Sequence, residues 1–255
     1  MSTGQISRAE QKKLTFSLDP VKYIWEYVKT IIAISGYRLE HATILRTVVM
    51  VIAVGLTFTL PLVTDSNPEI SLIYFALSTS AYIGFIYLVL PENGYRHWFM
   101  QKFGGEQEGF LAYEALLAFL FFISGSSIGI VAASYPGDFD LNNRVVDVIK
   151  TIAVLSVVIG FFIKTWAAKV VSVDIYYWKD MFLGRKISDF VVKGPYKFVK
   201  NPMYGLGLLQ SYGVAIWYMS YQGLIVAVIY QLLIFSFYFI QEKQFIKRVY
   251  LKENH

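Results

Sequence analysis

The sequence predicts an all-α, polytopic membrane protein with about six transmembrane helices, an N-terminal interfacial helix and a C-terminal helical hairpin. Hydrophobic residues make up 56% of the 255 residues, and the mean hydropathy is +0.49, which is too apolar for an ordinary soluble domain. Several apolar stretches approach the roughly 20 residues that a helix needs to cross a bilayer. The basic residues gather in alternate connections between these stretches, as membrane topology requires.

The N-terminal segment (1–41) is predicted to be cytoplasmic and to contain one amphipathic helix. Asp19 and Pro20 are typical of a helix start, and Gly36 is typical of a helix end. Apolar residues around Trp25 recur at helical spacing on one face. The pattern fits a helix that lies on the membrane with its aromatic residues at headgroup depth, and equally a helix packed on the protein's own cytoplasmic face.

The rest of the chain divides into N-terminal transmembrane helices (42–167) and a connector, hairpin and tail (168–255). The predicted spans are 42–63, 71–90, 111–134, 146–167, 203–219 and 223–240. The third span contains Gly125 and Gly129 at a spacing that allows two helices to approach closely. Packing within the chain is the favoured use of this motif, and a homodimer is the alternative.

The distribution of charge predicts the orientation of the chain. Of the 23 Lys and Arg, only Arg144 and Lys150 lie on the opposite side of the predicted membrane from the termini. The positive-inside rule therefore places both termini and the segment 193–205 in the cytoplasm. The net charge of +5 then reflects cytoplasmic loops and anionic lipid contact, and we expect no nucleic-acid partner.

The composition also excludes several kinds of site. The chain has no cysteine, which rules out disulfides, thiolate metal sites and a cysteine nucleophile. The three histidines are scattered without the spacing of metal ligands, so we expect no metal site.

The segment 193–205 is basic, interrupted by glycine and proline, and lies directly before the apolar hairpin. Asn201 is typical of a helix N-cap, and Pro202 of a first helical residue, so a helix is predicted to begin there. Polar groups and irregular backbone thus meet a membrane boundary, which is where a site can be built.

The hairpin is predicted to turn at Tyr221. Residues equidistant from the turn lie at the same depth in two antiparallel helices, because both helices have the same rise per residue. We therefore expect Tyr204 and Glu242 to come level at the cytoplasmic mouth of the hairpin. Gln210 and Gln231 are also nearly level, and we expect an interhelical hydrogen bond between them.

These residues resemble the C-terminal signature of the membrane methyltransferases, which include isoprenylcysteine carboxyl methyltransferases and phospholipid N-methyltransferases. The resemblance covers about 186–250 and consists of Gly-Pro-Tyr (194–196), Asn-Pro-Met-Tyr (201–204), Gly207, the apolar hairpin and its closing acidic position. It implies an all-helical enzyme that holds S-adenosylmethionine at the cytoplasmic ends of its last helices. The lipid substrate is implied to enter laterally from the bilayer.

Departures from the signature bear on the substrate. The carboxyl methyltransferases have Arg-His-Pro where this chain has Lys200, Asn201 and Pro202, and Asn-Pro-Met-Tyr is closer to the phospholipid N-methyltransferases. Gln241 replaces the first residue of the usual acidic pair, and Tyr250 replaces a usual glycine. The resemblance therefore favours N-methylation of an amino phospholipid such as phosphatidylethanolamine. Carboxyl methylation of an isoprenylcysteine, an NADPH-dependent membrane reductase and an inactive lipid-binding scaffold are the alternatives.

The resemblance also implies roles for single residues. The implied cofactor-binding residues are Lys193, Gly194, Pro195, Tyr196, Asn201, Pro202, Gly205, Gln241 and Glu242. Glu242 or Tyr204 is the candidate for removing a proton from an acceptor amine, and Lys200 for contacting lipid phosphate or a substrate carboxylate. The structural alternative for Glu242 is an ion pair with Lys200 or Lys197 at the helix end.

Overall fold

The structure is a computed structural model that describes residues 20–64 and 67–251, and these residues contain helices and no β-strand. The all-α prediction is confirmed. In chain order the α-helices are α1 (Pro20–Ile34), α2 (Ile44–Thr64), α3 (Glu69–Val89), α4 (Arg96–Phe103), α5 (Glu106–Ser134), α6 (Asn143–Val171), α7 (Val173–Tyr176), α8 (Lys179–Leu183), α9 (Leu209–Trp217), α10 (Tyr221–Phe237) and α11 (Lys243–Val249). The predicted cap at Asp19, the tail before it and the C-terminal His255 lie outside the described residues.

Five helical segments within the described ranges are long and apolar enough to cross a membrane. They are α2, α3, α5, α6 and Tyr221–Val249, in which a π-helical turn (Tyr238–Glu242) joins α10 to α11. Side-chain caps fix two of the starts: Asn142 accepts the Arg144 N–H at 3.0 Å before α6, and Ser220 accepts the Gly223 N–H at 3.0 Å before α10. Four of these segments begin and end within five residues of a predicted span. The fifth begins two residues before the predicted span 223–240 and continues nine residues beyond it.

The prediction that a helix begins at Pro202 and runs over 203–219 is wrong. Asn201 Oδ1 does accept the Tyr204 N–H at 3.3 Å, but only an irregular turn follows. Gly205 has φ −87° and ψ −101°, a backbone conformation outside the helical region that glycine adopts readily. A 3-10 turn (Leu206–Leu208) comes next, and α9 starts only at Leu209.

Helix α1 is packed on the protein at its end, as one of its two predicted arrangements requires, and its contact with the membrane surface stays a prediction. Its last turn is packed on the protein, where Ala33 and Ile34 are buried and the Tyr177 hydroxyl donates to the Ala33 carbonyl at 2.6 Å. Toward its start, Ile24 and Trp25 are 62% and 50% exposed. The chain leaves the helix at Gly36, which has a φ of +105° and matches the predicted stop.

Helix α4 and the connector helix α8 pack together through an aromatic cluster, which the sequence did not predict. The rings of Tyr113 and Phe182 stack with their centroids 4.9 Å apart, and Phe99 meets Phe182 edge-on at 6.4 Å. The buried Arg96 donates to the Met181 carbonyl at 2.7 Å. The N-terminal helices therefore hold the connector that leads to the hairpin.

Helices α6 and α9 approach closely because glycines lie between them. A Cβ added to Gly213 would lie 2.6 Å from the Ala153 carbonyl oxygen, which leaves no room for a side chain. A Cβ added to Gly207 would lie 3.4 Å from the Cβ of Lys164. Gly213 therefore lets α9 pack directly on α6, whereas the contact of Gly207 with Lys164 is an ordinary one.

Candidate active site

A cleft with a volume of about 380 Å³ lies between three parts of the chain: the short helices α7 and α8, the segment 188–204, and the turn that joins α10 to α11. This volume is within the usual range for small-molecule sites. Five of the predicted site residues line it: Tyr196, Lys200, Asn201, Tyr204 and Glu242. The other predicted residues do not line it: Lys193, Gly194, Pro195, Pro202, Gly205 and Gln241.

Tyr204 and Glu242 form the centre of this cleft. The Tyr204 hydroxyl donates to Glu242 Oε2 at 2.8 Å, as the level positions in the hairpin predicted. The side-chain N–H of Trp178 also interacts with this carboxylate. Burial, reinforced by the Glu242 charge, raises the pKa of Tyr204 well above its usual value, so the phenol keeps its proton and acts as a donor.

The structural alternative, an ion pair of Glu242 with Lys200 or Lys197, is not observed, since no lysine or arginine in the described part of the chain pairs with this carboxylate. Glu242 lies on the π-helical turn Tyr238–Glu242, where the backbone is wider than in an α-helix. Such single turns occur often at functional sites. The turn aims the carboxylate at Tyr204 rather than at the exposed lysines.

Gln231 fixes the backbone beside this pair. Its Nε2 donates to the Tyr204 carbonyl at 3.0 Å, and its Oε1 accepts the Tyr212 hydroxyl at 2.5 Å. The predicted bond between Gln231 and Gln210 is wrong. Because α9 starts late, the backbone of Gln210 packs on Gly160 of α6 instead.

The turn Gly194–Lys197 contributes one side chain to the cleft. Gly194 has a φ of +57°, and a Cβ there would lie 2.9 Å from Val170 Cγ2, so both the backbone and the packing require glycine. This contact against α6 positions Tyr196, whose hydroxyl is buried with no hydrogen-bond partner within the described structure. Burial raises the pKa of Tyr196. A buried, unpaired hydroxyl in a cleft wall is suited to a bound polar group.

Asp180 and Trp178 line the cleft, and sequence reasoning missed both. The Tyr250 hydroxyl donates to Asp180 Oδ2 at 2.9 Å, and the Met181 N–H donates to Oδ1 at 2.8 Å. Burial raises the pKa of Asp180. The signal that could have found Asp180 is the short apolar run 181–183 after it, which indicated a buried piece of connector.

The two carboxylates of the cleft are more buried than Lys200. Asp180 is buried and Glu242 partly buried, whereas Lys200 is exposed at the rim. The described residues contain no cluster of side chains that could hold a metal ion. The cleft thus combines two carboxylates, aromatic walls and an unpaired hydroxyl, which suits a ligand with an ammonium group, hydroxyls and a flat ring.

Comparison with known proteins shows what the C-terminal part of the chain is similar to. A family model described as phospholipid methyltransferase matches residues 148–253, which contain the whole cleft. The resemblance to the membrane methyltransferase superfamily is confirmed. The match begins within α6, so the first five helices lie outside the matched segment.

Two curated proteins that part of the chain resembles are phosphatidylethanolamine N-methyltransferases. The protein from Eremothecium gossypii is 29% identical over 99 residues, which is 39% of this chain and 12% of the relative. The protein from Clavispora lusitaniae is 32% identical over 96 residues, 37% of this chain and 11% of the relative. The chain thus aligns with about one eighth or less of the length of these relatives. No solved structure matches the chain.

Proposed function

We propose that this membrane protein transfers a methyl group from S-adenosylmethionine to the amine of an amino phospholipid such as phosphatidylethanolamine. The single observation that carries the proposal is the Tyr204–Glu242 hydrogen bond at the centre of the cleft, in a segment that matches phospholipid methyltransferases. The names of the two curated relatives support the same acceptor class.

The chemistry of the cleft fits the cofactor. S-adenosylmethionine supplies an electrophilic methyl group on a sulfonium cation. Glu242 would accept a hydrogen bond from a hydroxyl or ammonium of the cofactor, and the unpaired Tyr196 hydroxyl would donate to one of its polar atoms. Trp178 and Tyr204 would form its aromatic walls. Asn201, Gln241 and the glycine and proline residues of 193–205 would shape the backbone around it.

The acceptor amine must lose its proton before it attacks the methyl group. Glu242 is the proposed base, because Tyr204 keeps its own proton and donates a hydrogen bond to this carboxylate. Tyr204 then orients Glu242 and tunes its basicity. The partly enclosed cleft keeps water away and holds the two reactants in line, which is the main contribution a methyltransferase makes.

Lys200 is the proposed contact with lipid at the rim, since it is exposed and lines the cleft. Lysine stands where the carboxyl methyltransferases have the arginine of Arg-His-Pro, and it cannot form the bidentate hydrogen bonds that a guanidinium forms with a carboxylate. This difference supports an amine acceptor over an isoprenylcysteine carboxylate. The positive-inside rule supports cytoplasmic termini and a cytoplasmic cleft. A terminal tag should be reachable only from the cytoplasmic side.

The test is transfer of labelled methyl groups from S-adenosylmethionine by the full chain in detergent with lipid. Phosphatidylethanolamine should be methylated, a prenylcysteine analogue should not, and Glu242→Gln should be inactive. S-adenosylhomocysteine should raise the Tm, since ligands that bind the native state stabilise it. Stabilisation by NADPH alone would favour a reductase, and methylation of the prenylcysteine analogue would favour the carboxyl methyltransferases.

A further inference from the structure

A second, smaller cavity adjoins the cleft behind Tyr204. Its volume is about 40 Å³, and most of its wall is aromatic. It shares Trp178, Met203 and Tyr204 with the cleft, so these three side chains separate the two spaces. Lys164 lines the small cavity and Glu242 lines the cleft, so a ligand that contacts both residues must reach past this shared wall.

Lys164 supplies the cation of this small cavity. The residue is 7% exposed, and its Nζ lies 4.5 Å from the centroid of the Phe121 ring. The backbone of Gly207 lies beside the stem of Lys164, and the Lys164 side chain lines the small cavity. In the part of the chain that the structure describes, Lys164 has no ion pair and no hydrogen bond to a side chain.

An unpaired cation in the interior lowers the stability of the folded state. The other buried charged side chains of the described residues have partners within the chain. Glu114 is paired with Arg38, Asp180 accepts two hydrogen bonds, and Arg96 donates to a carbonyl. A single cation–π contact offsets only part of the cost of removing an ammonium group from water. The remaining cost indicates that Lys164 is kept for an anion that the chain itself does not provide.

We propose that Lys164 binds the phosphate of the acceptor's headgroup and so aims the amine at the Tyr204–Glu242 pair. The inference rests on the proposed function and assigns its substrate-positioning residue. In an ethanolamine headgroup two carbons separate the phosphate ester from the amine. Lys164 and Tyr204 line one cavity, and Tyr204 also donates to Glu242, so a phosphate held on Lys164 would direct the amine toward this pair.

Lys164 is better suited to select a phosphate than the exposed lysines of the connector. Water is largely excluded by the aromatic wall, and a charge-assisted contact is stronger in such surroundings than at a rim. A phosphate is larger than the present space, so side chains of the shared wall must move to admit it. Met203 is the adaptable member of that wall, since methionine is unbranched and changes rotamer easily.

The first test measures binding without turnover. We compare wild type, Lys164→Met, Lys164→Arg and the control Lys150→Met, which removes an exposed lysine from the same helix that also lies over an aromatic ring. Short-chain phosphatidylethanolamine should raise the Tm of wild type, Lys164→Arg and Lys150→Met, and not of Lys164→Met. Diacylglycerol and inorganic phosphate should have no effect on any of them, which separates a lipid headgroup from a free anion.

Stability without ligand gives a second readout. If Lys164 is a binding residue, Lys164→Met should be as stable as wild type or more stable, because an apolar side chain of similar length removes an unpaired charge from the interior. If its cation–π contact is structural, the variant should be less stable. Lys164→Gln provides a second neutral variant should the methionine variant fail to fold.

The third readout is the choice of substrate. Lys164→Met should raise KM for phosphatidylethanolamine by roughly ten- to a hundredfold, the range for one hydrogen bond to a charged group. Its KM for a long-chain primary amine without phosphate should be unchanged. S-adenosylhomocysteine should still bind, whereas a loss of that binding would mean that Lys164 contacts the cofactor and would overturn the proposal.

The outcomes separate this inference from the proposed function. If wild type methylates phosphatidylethanolamine and Lys164→Met does so with the same KM, the inference is wrong and the function stands. A different result would be that wild type methylates no lipid, while short-chain phosphatidylethanolamine raises the Tm of every variant except the neutral Lys164 variants. In that case the proposed function is wrong and the phosphate site stands.

Discussion

Glu114 and Glu242 are two interior carboxylates in opposite surroundings. The Glu114 side chain is 2% exposed and contacts Arg38 at 2.7 Å, His41 at 2.7 Å and Arg46 at 3.6 Å. Glu242 accepts the Tyr204 hydroxyl and has no cation beside it among the described residues. The chain itself satisfies Glu114, which therefore holds structure, whereas Glu242 retains acceptor capacity for a molecule that enters the cleft.

The network around Glu114 joins distant parts of the chain. Arg38 also donates to Asp174 Oδ1 at 2.6 Å, and Lys179 donates to Asp174 Oδ2 at 2.9 Å. The segment after α1, helix α5 and the connector are thus tied by one set of ion pairs. Its position explains how helices outside the matched segment support the cleft, because the connector that it holds also carries Trp178 and Asp180.

The largest expected effect is the loss of activity in Glu242→Gln. Removal of a general base lowers the rate by roughly 10²- to 10⁴-fold, and the amide keeps the size of the side chain. The Tm without ligand should stay near that of wild type. Labelled-methyl transfer and thermal unfolding in the same detergent check both statements, and an active variant would remove Glu242 from the mechanism.

Glu114→Gln should show the reverse pattern. Breaking a buried ion pair costs roughly 3–5 kcal/mol, and we expect the lower end because Asp174 still pairs with Arg38. In a domain of this size this corresponds to a Tm lower by roughly 6–12 °C. Below the transition, kcat should change far less than in Glu242→Gln.

Glu106→Gln is the matched control for the previous variant. Glu106 pairs with Arg185 at 2.5 Å, but both side chains are about half exposed. Exposed pairs are screened by water and salt, so the Tm should hardly change. If both variants lowered the Tm equally, burial would not be what distinguishes the Glu114 network.

Tyr204→Phe should have a smaller effect on activity than Glu242→Gln. The variant keeps the ring and removes only the hydroxyl that donates to Glu242. A hydrogen bond to a charged group contributes roughly 1.5–3 kcal/mol, so kcat should fall by roughly ten- to a hundredfold. The pH profile of kcat should shift toward higher pH, because the carboxylate loses a donor that stabilised its charged form. An unshifted profile would contradict the pairing.

The smallest expected effect concerns Asp180. Burial raises its pKa, so the folded protein binds a proton more readily than the unfolded chain, and this contribution to stability is lost as pH rises above the unfolded pKa of 3.8. The Asp180→Asn variant has no carboxyl group to titrate at this position. Its Tm relative to that of wild type should therefore be higher at pH 7 than at pH 4. Thermal unfolding at the two pH values measures the difference, and the opposite order would contradict the assignment.

Much of the site could be predicted from regular geometry. Tyr204 and Glu242 meet as the predicted level positions required, although Tyr204 lies before α9 and Glu242 lies on a π-helical turn. The helical spans followed from hydropathy. The start at Pro202 failed because local capping signals describe one turn, and Gly205 breaks the next. Tertiary contacts decided that failure.

The contributions of the connector could not be predicted. Asp180 is held by Tyr250 and Met181, and α8 by Arg96, which are contacts between distant or irregular parts of the chain. In the sequence Lys164 falls within the predicted span 146–167, and no local pattern indicates that its side chain lines an interior cavity. The assignments of single site residues stay predictions until they are tested.

The most direct test of the central claim is a calorimetric titration of S-adenosylhomocysteine into wild type, Glu242→Gln and Glu114→Gln at a temperature where all three are folded. We predict one site per chain in wild type and in Glu114→Gln, and binding at least roughly tenfold weaker in Glu242→Gln, since the carboxylate loses a charge-assisted contact. Equal affinity of Glu242→Gln and wild type would contradict the assignment of this cleft as the cofactor site.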